Sequence, residues 1–243
     1  MNNTTLKQLA SIFEEAGNSI DHSNNRFVDG TWEKINQLIL SLNLPEIEEL
    51  PCDIKAMDSY YNSAFVDINE VYQEKILKGF IEISFINLYP NTISSLYQGG
   101  RLLPKSKLLS DYCTVSKLRN DFRKMHKEQK ISYTALLAHK IWINYMYGKF
   151  GSLGYDGTKI TNFTGHLMEE FSNIPGWIYG DTDTFYFNEP VLTDEIKYVL
   201  ERYQIPYEVR FVKSGVFFRR KKLILEYSDE LKYKGFRPFK MTL

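Results

Sequence analysis

The alternation of apolar and polar residues changes period several times along the chain, and each change marks an element. Leu6 to Ala16 and Thr31 to Leu42 place apolar residues three and four apart, which predicts two amphipathic helices separated by the polar run 17–25. Leu44-Pro45-Glu46-Ile47-Glu48-Glu49-Leu50-Pro51 reads as a connector. Phe80 to Ser84 is a short strand-like run. Leu118 to Lys130 returns to helical spacing, and Ser132 stands as N-cap to a second helix from Tyr133 to about Met146. Trp177-Ile178-Tyr179 and Thr184-Phe185-Tyr186-Phe187 are two strands joined through the tight turn Gly180-Asp181-Thr182-Asp183. Thr193 caps a helix to Tyr203, and Tyr207–Val212 and Lys221–Tyr227 alternate as strands. The pattern predicts an α+β fold, a small antiparallel sheet backed by helices.

Composition fits that reading. The 243 residues, 43% hydrophobic with 17 Tyr and 16 Phe, suffice for one large or two small globular domains. No run approaches the roughly 18–20 apolar residues of a membrane span, and the N-terminus lacks a signal-peptide core. Cys52 and Cys113 lie far apart without metal-ligand spacing and are expected as reduced thiols of a cytoplasmic protein. The Asn, Lys, Ile and Tyr bias is what AT-rich coding gives, as in a phage or plasmid.

Charge changes the picture more than composition does. The total is zero, yet residues 1–80 carry 6 basic against 13 acidic side chains and residues 101–150 carry 11 against 3. A concentration of that kind is the footprint of a phosphate-binding surface. Arg119, Arg123, Lys127 and Lys130 recur at helical spacing, and on the next helix Lys140, Asn144 and Tyr147 fall at i, i+4 and i+7, one stripe of cation, amide and ring. A solvated helix face would explain the first stripe equally well. The two carboxylates Asp181 and Asp183, one residue apart in a hairpin tip, suit a divalent cation, although an acidic solvated turn has the same composition.

Three blocks taken in order then carry a resemblance. Phe85-Ile86-Asn87-Leu88-Tyr89-Pro90-Asn91, Lys140-Ile141-Trp142-Ile143-Asn144-Tyr145-Met146-Tyr147-Gly148, and Tyr179-Gly180-Asp181-Thr182-Asp183-Thr184 resemble motifs A, B and C of the family B DNA polymerases. Lys221-Lys222 with Lys234-Gly235-Phe236 is similar to the basic segment that closes that family's palm. The resemblance spans residues 78 to 237. It implies a helical N-terminal segment (1–77), palm (78–98, motif A), fingers-like helices (99–150) and palm again (151–243). It also implies a nucleotidyltransferase that adds deoxynucleotides to a primer end in DNA replication. On this reading Asp183 and Asp181 are catalytic and bind Mg²⁺ or Mn²⁺. Lys140, Arg119 and Arg123 grip the triphosphate, Asn144 and Tyr147 line the base-pair pocket, and Tyr89 excludes a ribose 2′-hydroxyl. Backbone amides of residues 85–89 meet the phosphates near a helix start, while Gly148, Lys221, Lys222 and Lys234 meet DNA.

The match departs from the family at one position of consequence. Counting back from Leu88-Tyr89-Pro90, the family's metal-binding Asp of motif A falls on Ser84, and a neutral hydroxyl brings no charge to a two-metal centre. Glu82 lies on the same strand face, roughly 6.5–7 Å away along the axis. It is either a substitute ligand or an edge-of-sheet carboxylate in water. Tyr145 stands where the family has Ser, either narrowing the pocket or packing. Nothing resembles exonuclease carboxylates or a thumb, so the expected partners are primer-template DNA, dNTPs and other chains supplying those functions. Three readings stay open: a split polymerase, a disarmed polymerase-like scaffold that binds DNA or nucleotide, and a fragment of a longer enzyme.

Overall fold

The computed structural model describes residues 2–47, 66–98, 106–203 and 205–236. It divides into two compact units, Met1–Asp53 with Tyr89–Ile160, and Ile54–Leu88 with Thr161–Leu243. The first unit is helical: α1 (Asn3–Gly17), a two-residue ribbon β1 (Ile20–Asp21) and β2 (Arg26–Phe27), α2 (Thr31–Ser41), α3 (Leu88–Gln98), α4 (Lys107–Ser116), α5 (Arg119–Lys127) and α6 (Tyr133–Lys149). Helix α6 starts where the sequence predicts, with Ser132 Oγ accepting from the Ala135 amide at 3.0 Å.

Helix α6 is the unit's axle. Ala135, Ala138, His139, Trp142 and Met146 are buried on it. The Phe13 ring of α1 lies edge-on to Trp142 at 5.8 Å and to Phe122 of α5 at 5.5 Å. Asn36 of α2 accepts from the Trp142 indole at 2.9 Å. Glu14 of α1 receives both the amide and the hydroxyl of Ser132, at 2.6 and 2.7 Å. The end of α1 presses so closely on α6 that a Cβ at Gly17 would stand 3.0 Å from Thr134. Helices α1 and α2, in the segment 1–77 named from the resemblance, share a unit with α5 and α6. An amphipathic helix must bury its apolar face against something, and α6 is apolar enough to offer several faces. Residues 48–65, including Cys52 and part of the predicted connector, lie outside the described residues, whereas Cys113 is buried and unpaired, its thiol pushed up to about 12 by burial.

The second unit holds the main sheet: β3 (Val66–Ile68), β4 (Ile76–Phe85), α7 (Thr158–Ser172), β5 (Trp177–Asp181), β6 (Thr184–Phe187), α8 (Asp194–Tyr203), β7 (Tyr207–Arg219), β8 (Lys222–Glu226) and β9 (Leu231–Lys234). Its antiparallel order is β3-β5-β6-β4-β7-β8-β9, the α+β arrangement predicted. Strand β7 runs well beyond its predicted end at Val212. Gly215 interrupts the alternation in the sequence, yet it suits a crowded position, where a Cβ would stand 2.7 Å from the Leu225 side chain and 3.1 Å from the Ile224 carbonyl oxygen.

One sheet face is apolar. Phe85 and Phe185 pack on Phe171 of α7 at 5.7 and 4.8 Å, and each such buried ring contributes about 2–3 kcal/mol over its exposed state. Helix α8 joins α7 through Tyr203 against Phe163 and through Arg202 Nη1, which donates to both Glu170 carboxylate oxygens at 2.9 and 3.0 Å. Thr193 Oγ1 accepts from the Ile196 amide at 3.4 Å, as its predicted cap role requires. The sheet curls about its opposite face. Arg220 pairs with Asp67 of β3 at 3.0 Å, and the Lys221 amide donates to the Tyr179 hydroxyl at 3.0 Å. The far end of the sheet is thereby drawn back over β5.

Candidate active site on the curled sheet

The two periods of the sheet decide which side chains meet. Register pairs Glu82 with Tyr186 and Arg210, Ser84 with Thr184 and Glu208, and Asp181 with Thr184. Directly opposed residues share a face, so Tyr179, Asp181, Thr184, Tyr186, Glu82, Ser84, Glu208 and Arg210 all stand on the inner side of the curl. The motif C hairpin is tighter than its sequence suggests. Pairing continues through Asp181, leaving Thr182 and Asp183 as the tip. Thr182 has φ +61°, and the Asp183 amide folds back onto the Asp181 carbonyl at 2.7 Å. That i to i+2 closure is a γ-turn, a conformation that carries strain where it puts a non-glycine residue at positive φ. The tip is tied to motif A by the Phe85 amide, which donates to the Asp183 carbonyl at 2.7 Å.

The carboxylates differ sharply in what surrounds them. Asp183 is exposed, and its carboxyl sits above the usual range, first through local desolvation and also through the neighbouring Asp181 charge; the Thr184 hydroxyl at 3.2 Å opposes the shift. Asp181 is 8% exposed and bears an ion pair with Lys234 of β9, with the Tyr179 hydroxyl 3.4 Å away. Glu82 is 3% exposed on the central strand β4. The edge-of-sheet reading for Glu82 is therefore corrected: register with both β6 and β7 buries it. Its Oε2 accepts a short bond from Tyr227 and lies 3.8 Å from Lys232 Nζ, while its Oε1 accepts from Ser84 Oγ at 3.1 Å. Burial holds Tyr179 up to about 12 and pushes Tyr186 and Tyr227 well above their ordinary value, so all three remain neutral donors near neutral pH.

Ser84 itself lies 3.3 Å from Thr184 Oγ1, hydroxyl to hydroxyl. Among the described residues no three His, Cys, Asp or Glu side chains gather into a metal-holding group. The donor chemistry agrees. Asp181 is engaged by a lysine, Glu82 by a tyrosine and a serine, and Ser84 is neutral, which among the described residues leaves the exposed Asp183 and Glu208 as the open carboxylates on this face. The residues present do not fit a two-cation centre.

The basic residues expected at this end also find protein partners. Lys222 Nζ lies 4.7 Å over the Phe236 ring. Lys221 sits at positive φ in the β7–β8 turn. Gly235, at φ +77°, follows β9 where a methyl group would run into the Lys221 carbonyl, so glycine is required for Lys234 to reach Asp181.

The fingers-like stripe lies in the helical unit. Lys140 and Asn144 are exposed on α6, Tyr147 is half-buried, and Gly148 is exposed with open space where a Cβ would stand. The Tyr89 and Tyr147 rings meet at 5.2 Å, uniting two predicted pocket residues. Arg123 is exposed, but Arg119 is 8% exposed and donates to the Leu136 carbonyl of α6 at 2.7 Å. Burial, then the charge of Arg123, lowers it to about 10, still protonated near neutrality. Its observed work is to tie α5 to α6. Tyr145 packs 5.7 Å from Trp32 of α2, with Lys149 Nζ 5.2 Å over its ring; the packing alternative describes it. The amides of Phe85 and Ile86, expected to face phosphate, are spent on the carbonyls of Asp183 and Pro206. Sequence reasoning missed Tyr227, Lys232 and Tyr186. Thr184–Phe187 and Lys221–Tyr227 were legible as strands, but not the pairing of β6 with β4 that sets Tyr186 beside Glu82, nor β9 and the curl that bring Lys232 and Tyr227 to it.

No protein-family model and no curated protein matches the sequence. Solved structures do. The chain is similar to the family B DNA polymerase of the hyperthermophilic archaeon Pyrobaculum calidifontis, with TM-score 0.52 and 17% identity, covering 96% of this chain and 36% of that one. It is also similar to phi29 DNA polymerase complexed with primer-template DNA and incoming nucleotide substrates, with TM-score 0.54 and 13% identity over 73% of this chain and 54% of that one. At such identities the likeness is one of fold: the chain shares the fold of the family B DNA polymerases, and it spans about one third to one half of the length of these two.

Proposed function

We propose that this chain is a family B-type palm-and-fingers subunit that binds primer-template DNA and a deoxynucleoside triphosphate, and that its nucleotide transfer is impaired as the residues stand. One observation carries the reading. The Asp181–Thr184 hairpin stands beside Ser84, residue for residue across a paired strand, in a chain with the polymerase fold. The geometry of an acidic hairpin against motif A is therefore kept, while one acid of the pair is a hydroxyl. Lys140, Asn144 and Arg123 supply an exposed cation, amide and guanidinium for the triphosphate, and the bonds from Lys140 and Arg123 are strengthened by charge on both partners. The Tyr89–Tyr147 ring pair supplies a surface for sugar and base. Partner chains would contribute the exonuclease and the grip on duplex, in a cytoplasmic replication assembly, that of the host if the origin is viral.

A second reading, a binding subunit without synthesis, is favoured by the Lys234–Asp181 pair, which occupies a motif C carboxylate. Primer extension with Mg²⁺ or Mn²⁺ separates the two, comparing the natural chain, Ser84→Asp and Asp183→Asn. The expected result is faint extension by the natural chain, a modest gain in Ser84→Asp while Lys234 still holds Asp181, and none in Asp183→Asn. Silence from all three with primer-template DNA still bound supports the second reading. Failure to bind primer-template DNA at all would overturn both.

A further inference from the structure

Two lysines two residues apart on β9 reach two buried carboxylates on two other strands. Lys234 pairs with Asp181 of β5, and Lys232 Nζ lies 3.8 Å from Glu82 Oε2 of β4. The coincidence follows from period and curl: Lys232 and Lys234 share a strand face, while Leu231 and Tyr233, at 61% and 59% exposure, take the other. Carboxylates that are 3% and 8% exposed need compensation, because an unpaired buried charge is costly. In a two-metal site cations from solution provide it. Here tethered ammonium groups do, and Tyr227 fills a further acceptor position on Glu82.

We infer that β9 is a built-in counter-ion: Lys232 and Lys234 stand in for divalent cations at Glu82 and Asp181, so the natural chain holds at most one such cation, on the exposed carboxylates Asp183 and Glu208, and folds fully without it. The inference concerns the site of the proposed function and rests on that reading for which cations the site would otherwise hold. A cation approaching Asp181 must first displace Lys234, and Mg²⁺ gains little from the neutral Ser84 and Thr184 hydroxyls, since it favours charged oxygen ligands. Restoring an acid at 84 while removing the charge at 234 should reopen the centre.

The test is a Mn²⁺ titration of the whole chain followed by electron paramagnetic resonance, with circular dichroism on the same samples. The natural chain is expected to be folded in EDTA and to bind no more than one Mn²⁺. Lys234→Met is expected to bind Mn²⁺ about tenfold more tightly, and Ser84→Asp with Lys234→Met to bind two. Lys234→Gln, which keeps a donor for Asp181 without the charge, shows the same direction if Lys234→Met fails to fold. Two tightly bound Mn²⁺ in the natural chain, or unchanged affinity in the folded Lys234 variants, would overturn the inference. A protein without DNA binding or synthesis leaves this stoichiometry unaffected, so failure of the polymerase reading is told apart from failure of this one.

Discussion

Two sets of charges, one in each unit, are handled in opposite ways. On the curled sheet, Glu82 and Asp181 are buried and matched by Tyr227, Lys232 and Lys234. On the helical unit, Lys140 and Arg123 are exposed, and neither forms an ion pair among the described residues. Charges matched inside a fold are costly to leave unpaired and are closed to ligands; charges held in water contribute little to stability and remain open to an anion. The difference teaches that the face proposed to bind nucleotide and the face proposed to carry chemistry can be retained or lost separately.

The sharpest way to break that comparison is Glu82→Ala. It leaves the Tyr227 hydroxyl and Lys232 facing an empty buried position and should cost about 3 kcal/mol in urea denaturation, whereas Lys140→Ala should change stability by less than about 0.5 kcal/mol. Gly235→Ala should cost roughly 2 kcal/mol, from positive φ and collision with the Lys221 carbonyl, and should shift β9 enough to weaken the Lys234–Asp181 pair. Carboxylate-edited infrared spectra would register that change at Asp181.

His139 tests the helical unit alone. It is stacked on Phe122 at 4.2 Å, its Nε2 is bonded to the Val115 carbonyl at 3.1 Å, and burial holds it down at about 3. A base depressed in the folded state leaves the unfolded chain binding the extra proton. Stability is therefore full above the unfolded value near 6.5 and is lost as pH falls below it, by about 2 kcal/mol between pH 7 and pH 5. Denaturation at the two pH values, with His139→Gln flattening the difference, checks it. The smallest effect is expected at the binding face, where Lys140→Ala should weaken dNTP binding about tenfold, or about 1.4 kcal/mol, in equilibrium titration.

Much of this was legible in the sequence. The Ser132 and Thr193 caps, the α5–α6 pair, the hairpin strands and the α+β class follow from local pattern, and pattern is local by nature. Glu82 was legible as a residue on the Ser84 face but not as a buried one, because burial depends on β7 arriving from beyond position 200. Arg119 illustrates the converse. Helical spacing placed it in a basic stripe with Arg123, yet the packing of α6 against α5 turned it inward to Leu136. The Lys234–Asp181 pair joins the edge strand β9 to β5, next to the other edge of a seven-stranded sheet, a meeting that needs the sheet to curl.

The most direct measurement is equilibrium binding of a dNTP to the natural chain, Lys140→Ala and Asp183→Asn, each in EDTA and in Mn²⁺. If the exposed cations hold the nucleotide while the sheet is neutralised from within, binding persists in EDTA, falls about tenfold in Lys140→Ala and is unchanged in Asp183→Asn. Binding that requires Mn²⁺, disappears in Asp183→Asn and ignores Lys140 would contradict the account, because the ligand would then be held by the carboxylates.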